Sequence, residues 1–438
     1  MEKFVIEGGE PISGRVRPNG NKNEALPCLA ATLLTDEPVT LKNVPRIADV
    51  GVMLQIIEDL GGTYEWEDDH QVCIQTAEVA SPELDVDLCK RIRSSILFAG
   101  SMLARKGACK LPPPGGDVIG RRRVDTHFLA LQELGASIDV EHDGYDFQAP
   151  DLVGTDVFMD EASVTATENA IMAAAVAKGT TRLQNAACEP HVQGLCRMLK
   201  KMGARIEGVG TNILEIEGTK GLWGCEHTIG PDYLEIGSFA GLSAITPGDL
   251  TIEGIVPKDL RMIRLVFEKI GVDTEVRGEE LFVPGDQEMQ IQDDLHGAIP
   301  TIDDAPWPGF PTDMMSIAIT VATQSDGKVL FFEKMFEGRM FFVDSLISMG
   351  ARIVFCDPHR VVVVGPSQLY GATLESPDIR AGMALLIAAL AADGESTIYN
   401  IRQIDRGYER IDEKLRDLGA SIERVPVSEE SGGAEAAE

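Results

Sequence analysis

Five cations stand where a helix start disfavours them. Lys22 opens the segment Asn23-Glu24-Ala25-Leu26, Arg93 precedes Ser94-Ser95-Ile96-Leu97, and Arg380 follows the capping residue Asp378. Arg339 stands before Phe341-Phe342-Val343, and Arg406 follows Asp405 ahead of Gly407-Tyr408. A helix N-terminus carries partial positive charge, so a cation there costs about 0.3–1 kcal/mol unless an anion lies beside it. With 39 Lys plus Arg against 70 Asp plus Glu and a net charge of −31, the chain is short of cations. Five placed this way suggest that several helix starts converge on an anionic ligand, held by guanidinium forks, an ammonium and backbone N–H groups together. A Pro- and Gly-rich loop at 111–123 adds Asp117 beside Arg121, Arg122 and Arg123. It matches neither the Gly-x-x-x-x-Gly-Lys-Ser/Thr phosphate loop nor Gly-x-Gly-x-x-Gly, so ATPase and dinucleotide readings lack support. Thr312 and Asp313 precede the apolar run Met314–Val321, where either side chain could cap a helix.

The elements that must position these residues come from a sixfold repeat. The pattern of an amphipathic helix end followed by glycine returns at Gly61, Gly135, Gly203, Gly271, Gly350 and Gly419, spaced 68 to 79 residues apart. Each glycine suits a left-handed helix stop, and a polar–apolar alternation such as Ser137-Ile138-Asp139-Val140 follows as a strand. A second helix start lies upstream of each glycine, at Lys22, Arg93, Thr165, Gly237, Asp313 and Arg380, before an apolar run. Such spacing is too long for an open solenoid, so six units of helices and strands fall into two domains of three.

The 438 residues suit two domains, and 44 % hydrophobic with 25 % charged residues is ordinary globular composition. The field of −31 charges repels polyanions, so nucleic acid and anionic membranes are not expected partners. The longest apolar stretch, Ala381–Ala392, is short of the ~20 residues of a membrane span. Met1–Val5 lacks a basic segment leading into an apolar one, so a cytoplasmic protein is expected. The eight cysteines form no Cys-x-x-Cys pair or Cys/His quartet, which reads as reduced thiols and no metal. Residues 428–438, with four glutamates and no large apolar residue, are expected to be a disordered tail.

The chain resembles the enolpyruvyl transferase family from about Phe4 to Val425. The resemblance is carried by GNKNEALP at 20–27, KRIRSSILFAG at 90–100, LPPPGGDVIGRRRVD at 111–125 and SVTATENAIMAAA at 163–175. PGFPTDMMS at 308–316, FEGRM at 336–340, SPDIRAG at 376–382 and IDRGYERIDEKL at 404–415 complete it. Lys22-Asn23, where the 3-phosphoshikimate branch has Lys-Ser, favours the nucleotide-sugar branch. The resemblance implies an α/β (α+β) fold of two domains, each an inverse α/β barrel of three repeated units, with the active site in the interdomain cleft. Residues 1–21 with 233–427 would form one domain and 22–232, carrying the Asp117 loop, the other.

It also implies a reaction without metal or organic cofactor: the enolpyruvyl group of phosphoenolpyruvate moves to the 3-hydroxyl of UDP-N-acetylglucosamine and phosphate leaves, the first committed step of peptidoglycan precursor synthesis. Carried over by position, Lys22, Arg93, Arg122, Arg380 and Arg406 resemble the ligand-binding cations, with Lys22, Arg122 and Arg406 nearest phosphoenolpyruvate. Asn23 matches a sugar contact, while Arg122, Asp125, Ser163, Val164 and Thr165 match the uridine and diphosphate region. Arg339 and Asp378 join the expected binding set. Asp313 resembles the base, and the chemistry needs an acid on the methylene face, for which Asp117 is the candidate and Lys22 the alternative. Three positions depart from the family pattern: Asp117 where cysteine is common, Arg123 where proline is usual, and Tyr233 where many relatives have arginine. The last two touch nucleotide recognition and keep open a different uridine nucleotide as acceptor. A non-catalytic nucleotide-sugar-binding paralogue is the third reading.

Overall fold

The computed structural model describes residues 2–117 and 119–427, and the expected acidic tail lies outside them. Six small sheets, five of four strands and one of three, correspond to the six repeats. All six punctuating glycines are left-handed, with φ between +88° and +105° at four and +103° and +108° at the last two in the chain's second half and end. Each stops a helix, as Gly61 does after Ala48–Asp59, and leads into a hairpin strand such as Thr63–Trp66. In each four-stranded sheet one strand pair is parallel and the remainder antiparallel, as where Val39–Lys42 pairs parallel with Glu226–Thr228 and antiparallel with Val72–Gln75, whereas the three-stranded sheet is wholly antiparallel.

The two helices of each unit differ as their sequences require. Tyr233–Ile245 and Ile379–Ala391 are apolar almost all round, and nearly every residue of each is buried. The later helix Arg261–Lys269 buries only Ile263, Val266 and Phe267. Three central helices therefore fill each half, with sheets and amphipathic helices around them. The apolar residues form two cores with no common member, one from Ala25 to Ile229, the other from Phe4–Val16 and Tyr233–Ile422. Strand Glu2–Glu7 completes the sixth sheet, lying between Glu395–Tyr399 and Ser421–Pro426. No helix among the described residues is long and apolar enough to cross a membrane.

The chain passes between the cores twice, side by side. Asn21 N donates to Gly230 O at 2.7 Å and Asp232 N donates to Asn19 O at 2.9 Å. Each crossing ends as a helix cap. Asn21 accepts from Glu24 N at 3.0 Å to start Lys22–Ala31, and Asp232 accepts from Leu234 N and Glu235 N to start Tyr233–Ile245. The crossing thus aims Lys22 into the gap between the halves.

Several expected helix starts are shifted. The helix near Gly237 begins at Tyr233, because Asp232 caps it there. Arg93 opens a 3-10 segment, Arg93–Leu97, ahead of the helix Phe98–Lys106. Arg339 lies in a turn before Val343–Ser348, and Arg406 ends a 3-10 helix, Ile401–Arg406, because the next helix starts only at Ile411. Neither Thr312 nor Asp313 caps: Pro311 occupies the cap position, and the Thr312 hydroxyl donates to Glu333 instead.

Two glycines separate close approach from mere helix weakening. A Cβ on Gly20 would overlap the carbonyl oxygen of Asn43, whereas one on Gly51, inside Ala48–Asp59, would meet nothing. Gly20→Ala is expected to lose about 1–3 kcal/mol through overpacking, and Gly51→Ala to gain about 0.5–1 kcal/mol through reduced chain entropy. Denaturant midpoints of the two variants should move in opposite directions; equal shifts would contradict the crossing geometry.

Candidate active site between the two cores

A cleft of about 450 Å³ lies between the halves. The first core's side contributes Lys22, Asn23, Arg93, Asp117, Arg122, Ser163, Val164 and Thr165; the second contributes Asp313, Arg339, Asp378, Arg380 and Arg406. Asp125 does not line it. That carboxylate is exposed and pairs with Arg123 Nε at 3.0 Å, at the start of the surface helix Asp125–Glu133.

Asp49, which no sequence feature singled out, joins the two sides. Its Oδ2 meets Lys22 Nζ at 2.8 Å and its Oδ1 meets Arg406 Nε at 2.9 Å. Arg406 also pairs with Asp117 and donates to Gln403 Oε1 at 2.9 Å. Burial alone would push the Asp49 carboxyl up, but Lys22 and then Arg406 outweigh it and hold it below its ordinary value of 3.8. Asp49 stands in a helix's first turn, where an acid is favoured, so it broke no rule in the sequence.

Across the cleft, Asp313 takes Arg339 Nη2 at 2.8 Å and Arg380 Nε at 3.2 Å, with its side chain 25 % exposed. Burial pushes its carboxyl up, yet Arg380, Arg339 and Lys22 together hold it well below the usual carboxylate range. Arg380 is fixed from behind by Tyr408 Oη at 3.0 Å, which contacts Ser238 Oγ at 2.9 Å. Asp378 caps the same helix, accepting from Arg380 N at 2.8 Å and Ala381 N at 2.9 Å.

Arg93 and Arg122 have no carboxylate partner among the described residues. Arg93 Nη2 donates to the carbonyls of Arg122 at 2.7 Å and Arg123 at 3.2 Å, so it holds the loop. Burial, then the neighbouring Arg122, pull Arg93 down to about 10. Burial also lowers Arg122. Two half-buried cations left over in an acidic protein give the cleft spare affinity for an anion. The loop reaches the other half directly: Ile119 O accepts from Gly338 N at 3.0 Å, and Arg121 N donates to Glu337 Oε1 at 3.0 Å.

The remaining walls are polar or aromatic. Thr165 Oγ1 lies 3.0 Å from His127 Nε2, and Asn169 Nδ2 lies 2.8 Å from His127 Nδ1. An amide NH₂ can only donate, so His127 is the neutral Nε2–H tautomer, in keeping with burial pushing it down to about 3. Tyr233 stacks on His191 with centroids 6.3 Å apart and packs against Trp307 at 5.9 Å. Trp307 N in turn donates to Glu189 Oε1 at 3.3 Å, a second seam between the halves. Glu24, Cys28 and His227 are a buried group of metal-ligand types outside the cleft; Glu24 is already engaged by His227 Nε2 at 2.9 Å and Gly230 N at 3.3 Å.

The sequence profile described as EPSP synthase (3-phosphoshikimate 1-carboxyvinyltransferase) matches residues 6–415. The chain is 58 % identical over 423 residues to the UDP-N-acetylglucosamine 1-carboxyvinyltransferase of Treponema denticola, covering 97 % of this chain and 99 % of that one. It is 54 % identical to the Bradyrhizobium diazoefficiens protein of the same name over 424 residues, 97 % and 98 % of the two chains. Among solved structures, the enolpyruvyl transferase NikO from Streptomyces tendae superposes with a TM-score of 0.87 at 24 % identity, covering 98 % and 99 % of the two chains. EPSP synthase from Acinetobacter baumannii gives 0.74 at 18 %, covering 97 % and 100 %. These two likenesses bear on fold: the mixed α/β architecture is that of enolpyruvyl transferases.

Because Asp49 is lowered, its stabilising effect is present above the unfolded value and is lost as pH falls through the folded one. Asp49→Asn is expected to cost about 3–5 kcal/mol at pH 7, as one partner of a buried pair is removed. The gap from the natural protein should narrow at acid pH, where Asp49 protonates anyway. Urea unfolding across pH checks this, and a gap independent of pH would exclude the ion-pair role.

Proposed function

We propose, from the premise that the chain belongs to the enolpyruvyl transferase family of EPSP synthase, that its cleft moves the enolpyruvyl group of phosphoenolpyruvate to the 3-hydroxyl of UDP-N-acetylglucosamine and releases phosphate. The observation that carries this reading is near full-length identity of 58 % to a curated UDP-N-acetylglucosamine 1-carboxyvinyltransferase. A cytoplasmic setting and a part in peptidoglycan precursor synthesis belong to the same proposal, as do the two domains, 22–232 and 1–21 with 233–427, that enclose the substrates.

Lys22, Arg122 and Arg406 hold the carboxylate and phosphate of phosphoenolpyruvate. Arg406 is shared by Asp49 and Asp117, so an incoming anion competes with Asp117 for the guanidinium and frees that carboxyl. The freed Asp117 carboxylate takes up a proton from solvent and delivers it to the methylene carbon, and the adjacent carbon becomes electrophilic. The sugar 3-hydroxyl attacks that carbon and gives its proton to Asp313. The Asp117 carboxylate takes a proton back from the new methyl group as phosphate departs, which restores the double bond. Asp313 is a weak base while Arg380, Arg339 and Lys22 surround it alone. Anionic substrates offset that positive field and raise its basicity where the hydroxyl arrives. Asn23, Arg93, Ser163, Val164, Thr165, Asp378 and Arg380 line the path taken by the nucleotide sugar.

Phosphate release from phosphoenolpyruvate with a panel of uridine nucleotides tests the reading. UDP-N-acetylglucosamine should be the preferred acceptor; a better one would transfer the assignment to it. Asp313→Asn should keep nucleotide-sugar binding and lose about 10²–10⁴-fold in turnover, as expected for a general base. Near-normal turnover would refute that role.

Asp117 also sets the response to electrophiles. A carboxylate is a far weaker nucleophile than a thiolate, so the epoxide fosfomycin should leave no stable adduct. Asp117→Cys should remain active and gain the mass of one drug molecule, read by intact-mass spectrometry. A stable adduct on the natural protein would overturn this.

A further inference from the structure

Behind the Asp313 side of the cleft lie two carboxyl groups that the reaction does not use. Strands Thr301–Asp303 and Gly327–Phe332 pair in parallel, with Asp303 opposite Phe332. The next residue on each, Asp304 and Glu333, is fully buried, and the two side chains lie within hydrogen-bonding reach. Asp304 Oδ1 accepts from Lys334 N at 2.5 Å, but Oδ2 is buried with no donor among the described residues. Glu333 accepts from the Thr312 hydroxyl at 3.0 and 3.1 Å and from the amides of Met335 and Phe336 at 3.1 and 3.0 Å.

We propose that Asp304 and Glu333 share one proton as an acid–carboxylate pair, and that this pair is a positioning device for Asp313 and Arg339. A carboxyl proton on Glu333 is the donor that Asp304 Oδ2 lacks. Two ionised carboxylates so close in a buried place repel strongly, so one of them stays protonated. Glu333 is raised to about 8, by burial first and then by its hydrogen bond to Asp304, with Arg339 opposing. The other charged groups nearby are committed elsewhere: Lys334 Nζ to Asp303 at 2.8 Å, and His359 Nδ1 to the Glu333 carbonyl at 2.7 Å. Arg339 itself is bound to Asp313 at 2.8 Å.

The positioning follows from chain order. Thr312, held by Glu333, is the residue before Asp313. Met335 and Phe336, held by the same carboxyl, begin the turn that carries Arg339. One side chain therefore clamps both segments whose next functional groups form the Asp313–Arg339 pair. Losing the shared proton at alkaline pH puts two like charges at the clamp and misaligns the base, so turnover falls as pH rises.

The kinetic part rests on the reading of Asp313 as base, whereas the proton can be followed without turnover. Infrared difference spectra, natural protein minus Glu333→Gln, should show a protonated carboxyl band at pH 7 that disappears as pH rises through the region of 8, the buried Glu168 carboxyl, also pushed up by burial, cancelling in the difference. In Asp304→Asn, Glu333 is untouched but receives an amide N–H instead of sharing a proton, so the band should be lost at pH 7. The alkaline limb of kcat set by the second ionisation of the pair should disappear in this variant, because a lone Glu333 carboxylate has no like charge beside it to misalign the clamp. Persistence of the band in Asp304→Asn, or a natural protein with no such titration, overturns the pair. If phosphoenolpyruvate turnover is absent altogether, the functional reading fails while the infrared result still decides the shared proton. If Asp304→Asn does not fold, the titration of the natural protein against Glu333→Gln decides it.

Discussion

One buried carboxylate has to satisfy two cations that arrive from opposite sides of the cleft. Asp49 binds Lys22, launched by the crossing between the cores, and Arg406, from the far half. Without a carboxylate between them these cations would repel in a place with little water to screen them. With it they stand together and still present donors toward the cleft. The other features of the site elaborate this arrangement: Asp117 takes a free edge of Arg406, and Asp313 does for Arg339 and Arg380 what Asp49 does for Lys22 and Arg406. The cleft is an array of cations neutralised just enough to remain assembled, with Arg93 and Arg122 left over for an anion.

That economy explains the electrostatics of the cleft carboxylates. A carboxylate that holds two guanidinium groups in place is a poor base while it does so, and it becomes a better one only when other anions share those cations. Binding and activation are therefore one event. In the proposed reaction, each anionic group added to the cleft would raise the capacity of Asp313 to take a proton from the acceptor hydroxyl.

The sequence exposed what breaks local rules and hid what obeys them. The six glycines were legible because helix stops at left-handed positions repeat with a period, and the cations at Lys22, Arg93 and Arg380 stood out against the helix dipole. Arg339 and Arg406 do not stand at helix starts: they occupy a turn and the end of a 3-10 helix, and tertiary carboxylates hold them. Asp49 is silent in the sequence because an acid in a helix's first turn is favoured on local grounds alone. Asp125 sits in a motif shared with the family, while its side chain turns to Arg123 at the surface. Tyr233 looked like an isolated departure until His191 and Trp307, from distant parts of the chain, proved to be its neighbours. The pairing of Asp304 with Glu333 depends on the register of two strands, which no local pattern reveals.

The strand Glu2–Glu7 is separated from both of its sheet neighbours, Glu395–Tyr399 and Ser421–Pro426, by most of the sequence. The half built around Ala25–Ile229 draws its core from one continuous stretch and can close while synthesis of the later strands continues. The other half must keep the apolar residues Phe4 and Ile6 unpaired until those later strands have been made. The topology thus lets the inserted half fold ahead of the sheet that holds Glu2–Glu7.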